Sequence, residues 1–263
     1  MWQTYLQPQT LPEALRLLGA HAGEARIVAG GTDIMVELSR GIRPTSTLID
    51  ITAIPGLRQI RGDGSVIAIG ALATHNDVVA SSLCRARALP LCQACWEVGA
   101  PQIRTRGTIV FYIVTASTEI YTITPLVALG AELVLLSERG ERRVPLVEFH
   151  PGFRRTTLAP DELVREIRFP AMLANQRGRF VKLGLRRAQA ISVIDLAIVL
   201  TFEGDVVSAA RIALGSVAPT IVRAHDAEEY LTGKSLSPDV ARLAADLASA
   251  ASSPIDDVRG SAA

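Results

Sequence analysis

The apolar segment Arg26-Ile27-Val28-Ala29 runs directly into Gly30-Gly31-Thr32-Asp33 and then into the helical pattern Ile34 to Arg40. A strand that breaks into two consecutive glycines before a helix constrains the backbone more than any other stretch of this 263-residue chain. Glycine permits positive φ and close backbone approach. Several amides and the start of the next helix then converge on one point, an arrangement that receives a phosphate. Thr32 adds a hydroxyl donor, while Asp33 would repel an anion unless its carboxylate turns back to cap its own helix. The same residues also make an ordinary tight strand–helix turn, and they lack the spaced glycines of a dinucleotide-binding βαβ unit.

The length suits one large domain or two to three smaller ones. Aromatic residues make up 5% of the chain against 49% hydrophobic residues in all, so the core is mostly aliphatic. A formal net charge of +1 argues against a general nucleic-acid surface. Met1-Trp2-Gln3-Thr4-Tyr5 has no basic start followed by an apolar core, and no apolar run reaches membrane-spanning length. The expectation is a cytoplasmic protein that is not integral to a membrane. Cys84, Cys92 and Cys95 are odd in number and closely spaced, which reads as buried thiols on one or two helices. Neither His75 nor His150 has the spacing to complete a metal site, so no metal is expected.

Thr10-Leu11-Pro12-Glu13 is a capping box for a first helix. Strands are expected at Arg26–Ala29 and Thr47–Ile51, with a helix Ile34–Arg40 capped by Asp33 and ended by Gly41. Together they form a small α/β unit over residues 1–55. A second unit, residues 56–173, opens at Pro55-Gly56. It holds a strand Val66–Ala71, a helix capped at Thr74, a helix Pro90–Val98 ended by Gly99, a hairpin turning at Arg139-Gly140, and a strand Leu163–Phe169. The polar stretch Ala174–Gly178 marks a boundary before residues 174–263. There Phe180–Leu185, Val193–Glu203 and Val207–Val217 read as strands, followed by helices Arg223–Leu231 and Asp239–Ala251 and a polar, frayed end.

Several ordered motifs run the length of the chain. They include Val28 to Asp33, Leu48-Ile49-Asp50-Ile51, Val98 to Ile109, Val114-Thr115-Ala116-Ser117, Phe180-Val181-Lys182-Leu183-Gly184, Ile212 to Thr220 and Asp256 to Ala262. On these the chain resembles the FAD-binding medium subunit of molybdenum hydroxylases of the carbon monoxide and xanthine dehydrogenase type, whose members usually extend further as a terminal helix, so a shortened form is expected. The resemblance implies an α+β, PCMH-type FAD-binding fold, with two N-terminal α/β subdomains and a C-terminal antiparallel sheet plus helices. It also implies an electron-transfer role: a molybdenum-cofactor large subunit oxidises substrate, an iron-sulphur small subunit relays electrons, and the flavin subunit passes them to an external acceptor. Ala29, Gly30, Gly31, Thr32, Asp33, Thr108, Thr115 and Ser117 would contact FAD. Lys182 matches a position near the flavin, where a positive charge would favour the reduced anionic ring; an exposed surface lysine is the other reading.

The chain departs from that family where a second glycine loop is expected after Thr108-Ile109. Val110, Phe111 and Tyr112 stand in place of two glycines and an asparagine, and Thr118-Glu119-Ile120 and Tyr121 in place of a proline-containing turn and an aspartate. Side chains there would take the space left for phosphate, and Val110 to Val114 alone reads as a buried strand. Tyr112 and Tyr121 either stack on flavin or adenine or pack internally. The departure leaves a competing function, a non-enzymatic structural subunit that kept the fold and lost FAD. Other candidates carry less. His75 has no nucleophile partner and reads as a helix-start surface or core histidine; Ser117 lacks a nucleophile elbow. Arg104 and Arg106 suit either a phosphate or ordinary surface roles, Arg186-Arg187 is too short for nucleic-acid recognition, and Cys92 with Cys95 is too few thiolates for a cluster. No catalytic residue is expected in this chain.

Overall fold

The computed structural model describes residues 2–116, 121–186, 188–257 and 259–262. It is an α+β, PCMH-type fold built on three sheets, with α/β units ahead of a C-terminal antiparallel sheet and helices. In the first part, β1 (Thr4–Leu6), α1 (Leu11–Ala20), β2 (Ala25–Val28), α2 (Ile34–Ser39) and β3 (Thr47–Asp50) give a parallel sheet of order β1-β3-β2. The Thr10 hydroxyl accepts the Glu13 amide at 3.3 Å and Glu13 accepts the Gln9 amide at 2.9 Å, which fixes the start of α1. Gly41, at φ +68°, follows the end of α2. Strand β1, at three residues, has no periodicity to read in the sequence, and its pairing to Thr47–Ile49 defines it.

The second part contains β4 (Ile60–Gly62), β5 (Val66–Gly70), α3 (His75–Ala80), α4 (Ser82–Arg87), α5 (Leu89–Glu97), α6 (Pro101–Arg106), α7 (Ile109–Val114) and α8 (Ile123–Ala128). It continues with β6 (Glu132–Ser137), β7 (Gly140–Pro145), α9 (Leu146–Phe149) and β8 (Leu163–Pro170). The strands form an antiparallel sheet of order β4-β5-β8-β6-β7. Register is set by apolar pairs such as Ile69 with Ile167 and Ile167 with Leu133, all fully buried. Thr74 caps α3 in a reciprocal box with Asp77. Cys84 on α4 and Cys92 and Cys95 on α5 are buried free thiols.

The strand expected at Val110–Val114 is instead the helix α7. Its buried positions, Ile109, Val110 and Ile113, share one helical face, and the Tyr112 and Thr115 amides bond to the carbonyls of Thr108 and Phe111. Ile109 is anchored to the Ala73 carbonyl at 3.1 Å, and this packing overrides β-propensity.

The third part, β9 (Gln176–Gly184), β10 (Ser192–Glu203), β11 (Val206–Gly215), β12 (Val222–Arg223), α10 (His225–Leu231) and α11 (Pro238–Ala250), is an antiparallel sheet of order β12-β11-β10-β9 with its two helices. Glu228 ties α10 to the sheet by accepting the Ile212 amide and a two-pronged Arg223 contact, each at 2.6 Å. The end is less frayed than expected, because Asp257 bridges to Gly260 and Arg259 donates to the Ser192 carbonyl at 3.2 Å. The larger apolar cluster is continuous from Leu18 through Ile167 to Phe180 and Ala213, so the C-terminal sheet shares a core with the preceding parts. Among the described residues no helix is long and apolar enough to cross a membrane.

His75, at the first position of α3, is a core histidine. Burial foremost, and the Arg104 charge second, bring its pKa down from 6.5 to about 3. Between those values the unfolded chain binds a proton that the folded chain does not, so stability falls as pH falls through this window. Denaturant titrations between pH 7 and pH 4 should show that slope, and His75→Leu should flatten it; an equally steep profile in the variant would assign the loss to other groups.

Candidate cofactor-binding site

The first glycine loop is seated on the end of α6. A Cβ on Gly30 would lie 1.9 Å from the Arg106 carbonyl oxygen, a distance no side chain tolerates, and Gly31 holds φ at +78°. From the other side, a Cβ on Gly107 would lie 3.1 Å from the Ile103 carbonyl oxygen and 3.4 Å from Thr32 Oγ1. The residues 29–33 and 106–108, far apart in sequence, therefore meet backbone to backbone.

A cavity opens on each side of this junction. The first, of about 380 Å³, is lined by Ala29 through Asp33, Thr108, Phe111 and Thr115, with aliphatic walls from Ile27, Leu163 and Val164. The second, of about 430 Å³, shares Thr32, Asp33, Glu37 and Thr115 with the first and adds Tyr112, Tyr121 and Ile191. Cationic side chains border both, Arg43 the first and Arg40 and Arg154 the second. Seven of the expected contact residues thus gather around one junction. Lys182 lines neither cavity, and Ser117, with Thr118-Glu119-Ile120, lies outside the described residues.

Asp33 does not cap α2. Its backbone is already helical at φ −102° and ψ −53°, so the carboxylate cannot reach back to the first-turn amides. Instead it accepts the Thr32 hydroxyl at 3.0 Å, which commits the donor expected to face an anion. Burial pushes the Asp33 carboxyl above its ordinary pKa, with the Thr32 hydrogen bond opposing and Glu37 adding to the rise. Thr115 donates to the Phe111 carbonyl at 3.1 Å, whereas buried Thr108 Oγ1 has no hydrogen-bond partner among the described residues.

The three substituted residues of the second loop diverge in space. Val110 is fully buried in the core and borders neither cavity. Half-buried Phe111 lines the first cavity and half-buried Tyr112 the second. Tyr112 and Tyr121, separate departures in the sequence, are neighbours with ring centroids 6.4 Å apart. Tyr121 is 5% exposed, donates to the Glu97 carbonyl at 2.8 Å, and is pushed up to about 12 by burial foremost. Behind it sits Lys182, whose side chain is 5% exposed and therefore not a surface lysine; Nζ lies 4.4 Å over the Tyr121 ring and 3.4 Å from the Glu97 carboxylate. Arg104 is buried and holds the Val98 carbonyl at 3.0 Å; Arg106 is exposed and contributes its backbone.

The sequence motifs did not announce the walls supplied by Leu163, Val164, Arg154 and the 189–191 segment. They converge from distant strands and loops, and no local pattern marks them.

Comparison with known proteins places these features in a family. Residues 2–172 match the FAD binding domain in molybdopterin dehydrogenase, and residues 179–263 match the CO dehydrogenase flavoprotein C-terminal domain. The chain is 34% identical to the carbon monoxide dehydrogenase medium chain of Hydrogenophaga pseudoflava over 98% of its own length and 90% of that relative. It is 31% identical to the caffeine dehydrogenase subunit beta of Pseudomonas sp. (strain CBB1), over 90% of this chain and 80% of the other. Among solved structures, carbon monoxide dehydrogenase from Hydrogenophaga pseudoflava lacking the Mo-pyranopterin moiety of its cofactor superposes with a TM-score of 0.94 at 36% identity, covering 100% of this chain and 91% of that one.

The placement of Val110 makes a prediction independent of any ligand. Val110→Gly should cost about 2–4 kcal/mol of stability through lost core packing and helix propensity. Chemical denaturation checks it; a neutral substitution would mean that Val110 faces a cavity.

Proposed function

This chain belongs to the family of FAD-binding medium subunits of molybdopterin and carbon monoxide dehydrogenase-type flavoproteins, and on that premise we propose that it is the flavin-bearing electron-transfer subunit of a cytoplasmic molybdenum hydroxylase. Its partners in this reading are an iron-sulphur small subunit and a molybdenum-cofactor large subunit. The observation that carries the proposal is the meeting of two ring-sized cavities at a glycine loop, the layout a dinucleotide requires.

The residues present fit FAD. Gly30 and Gly31 give the first cavity a stretch of wall without side chains, Thr108 Oγ1 is a buried hydroxyl with no hydrogen-bond partner among the described residues, and both cavities stay open with Phe111 and Tyr112 in place. When bound, FAD supplies a ring that takes electrons from the iron-sulphur side and yields them to an external acceptor. The chain's own part is placement and electrostatics. Ala29 to Asp33, Thr108 and Thr115 would hold the cofactor's middle, with Ser117 as a further contact. Arg40, Arg43 and Arg154 set a positive rim, and Lys182, through the Tyr121 ring, places a cation behind the second cavity. In the units 1–55, 56–173 and 174–263, the first two would share the cofactor and the third would back the second cavity. Substrate choice would reside in another subunit, in keeping with relatives whose names give substrates as unlike as carbon monoxide and caffeine.

The second reading, a structural subunit without FAD, draws on Phe111 and Tyr112 standing at the cavity walls where bulk costs room. Purification with the partner subunits, release of the flavin and its quantification separate the two. The proposal predicts close to one FAD per chain, retained or taken up on incubation; a folded, assembled sample that neither retains nor rebinds FAD supports the structural subunit instead.

A further inference from the structure

One wall of the second cavity is the short segment Gln189-Ala190-Ile191, in the turn between β9 and β10. Cationic side chains hold its carbonyls and those beside it. Arg186 donates to the Ala188 and Gln189 carbonyls at 3.0 and 2.8 Å, and Lys182 to the Ala190 carbonyl at 3.3 Å. Arg259, distant in sequence, donates to the Ser192 carbonyl at 3.2 Å. The backbone here needs support. Gln189 stands at φ +51°, which a residue with a side chain adopts at a cost, and Ala190 is pressed so closely on β9 that a Cβ on Gly184 would lie 2.8 Å from its own.

Among the described residues of 253–262, Arg259 alone is not exposed; its side chain is 14% exposed. Asp257 orients it by accepting its backbone amide at 2.7 Å and its Nε at 2.8 Å, and the bridge from Asp257 to Gly260 closes the turn. Nearer α11, the Ser253 amide donates to the Val217 carbonyl at 2.8 Å. Both anchor points lead to the same buried carboxylate: Ser192 Oγ donates to Asp195 at 2.9 Å, and Ser216, the neighbour of Val217, does so at 3.4 Å.

We propose that Arg259 is a positioning residue for the cofactor site: from the segment that follows α11 it clamps the 189–192 backbone as a rigid wall of the second cavity, and so slows the loss of bound FAD. The inference rests on the proposed function for what the cavity holds, but not for the clamp itself. The three cations divide the work. Arg186 moves with the turn, Lys182 ties its inner side to α5 through Glu97, and Arg259 fixes the β10 side from outside the sheet. A wall made rigid beforehand has less freedom to lose on binding, and most affinity differences of this kind are read in the dissociation rate.

Arg259→Ala and Arg259→Lys are compared with wild type, each assembled with its partner subunits, with Arg242→Ala on α11 as the control for a lost surface charge. Amide hydrogen exchange reads the clamp without reference to the cofactor. Flavin release, followed by the fluorescence of freed FAD, reads its consequence. In Arg259→Ala the expected result is several-fold faster exchange over residues 188–192, unchanged exchange in β11 and α11, and several-fold faster FAD release. Both rates return toward wild type in Arg259→Lys, and in Arg259→Ala on addition of millimolar guanidinium ion, while Arg242→Ala matches wild type. Asp257→Asn, which keeps Arg259 and loosens its orientation, gives smaller changes of the same kind and serves if Arg259→Ala does not fold. Unchanged exchange over 188–192 overturns the clamp. Faster exchange with unchanged FAD release overturns the positioning role, and so does exchange that rises throughout β10 and β11, because Arg259 would then support the whole domain. A wild-type assembly that takes up no FAD overturns the proposed function and the positioning role together, while the exchange result still decides whether Arg259 holds the wall.

Discussion

Where Gly30 lies against the carbonyl of Arg106, two backbones approach more closely than any side chain permits, and the site depends on that approach. It carries the turn after β2 onto the end of α6, and so joins the small parallel sheet to the helices of the second part. The cavities exist on either side because this junction is narrow. A larger residue at position 30 would separate the loops and dissolve the shared wall of Thr32, Asp33 and Thr115. The left-handed turn at Gly31 then aims the chain into α2.

Around the junction the titratable groups are tuned toward neutrality by burial. His75 and Tyr121 stay uncharged across the physiological range, with pKa values moved to about 3 and about 12, and the Asp33 carboxyl is shifted up. Fixed positive charge comes from the arginines at the rims and from Lys182, held by Glu97 and the Ala190 carbonyl, while Glu37, paired with Arg26, lines both cavities. A low-dielectric lining with a few placed cations suits a cofactor that carries phosphates and gains electrons, because such charges act over longer range than they do in water.

Much of this was legible in the sequence, for reasons that vary with the residue. The N-cap at Thr10, the capping box at Thr74, the hairpin at Gly140 and the long strands β10 and β11 follow from local chemistry, and the structure has them, although Glu13 reaches the Gln9 amide instead of closing a box on Thr10. Gly30 and Gly31 stood out because consecutive glycines after a strand are costly unless used. The identity of α7 was hidden, since Val110 to Val114 has β-branched and aromatic residues and only contacts with Ala73 and the core make it a helix. Asp33 resembled a cap in sequence, but helical backbone at that position prevents capping. The pairing of Tyr112 with Tyr121 was equally invisible: two departures that look independent along the chain share one contact in space. Ring contacts of this kind depend on how α7 packs, which no local pattern encodes.

Gly30→Ala tests the central claim most directly, with folding stability and FAD affinity measured on the same preparation. The close approach to Arg106 predicts a loss of about 1–3 kcal/mol from overpacking, together with at least a tenfold weakening of FAD binding, equivalent to about 1.4 kcal/mol. Unchanged stability and unchanged FAD affinity would contradict it, because the loop would then have room that a junction held backbone to backbone does not leave.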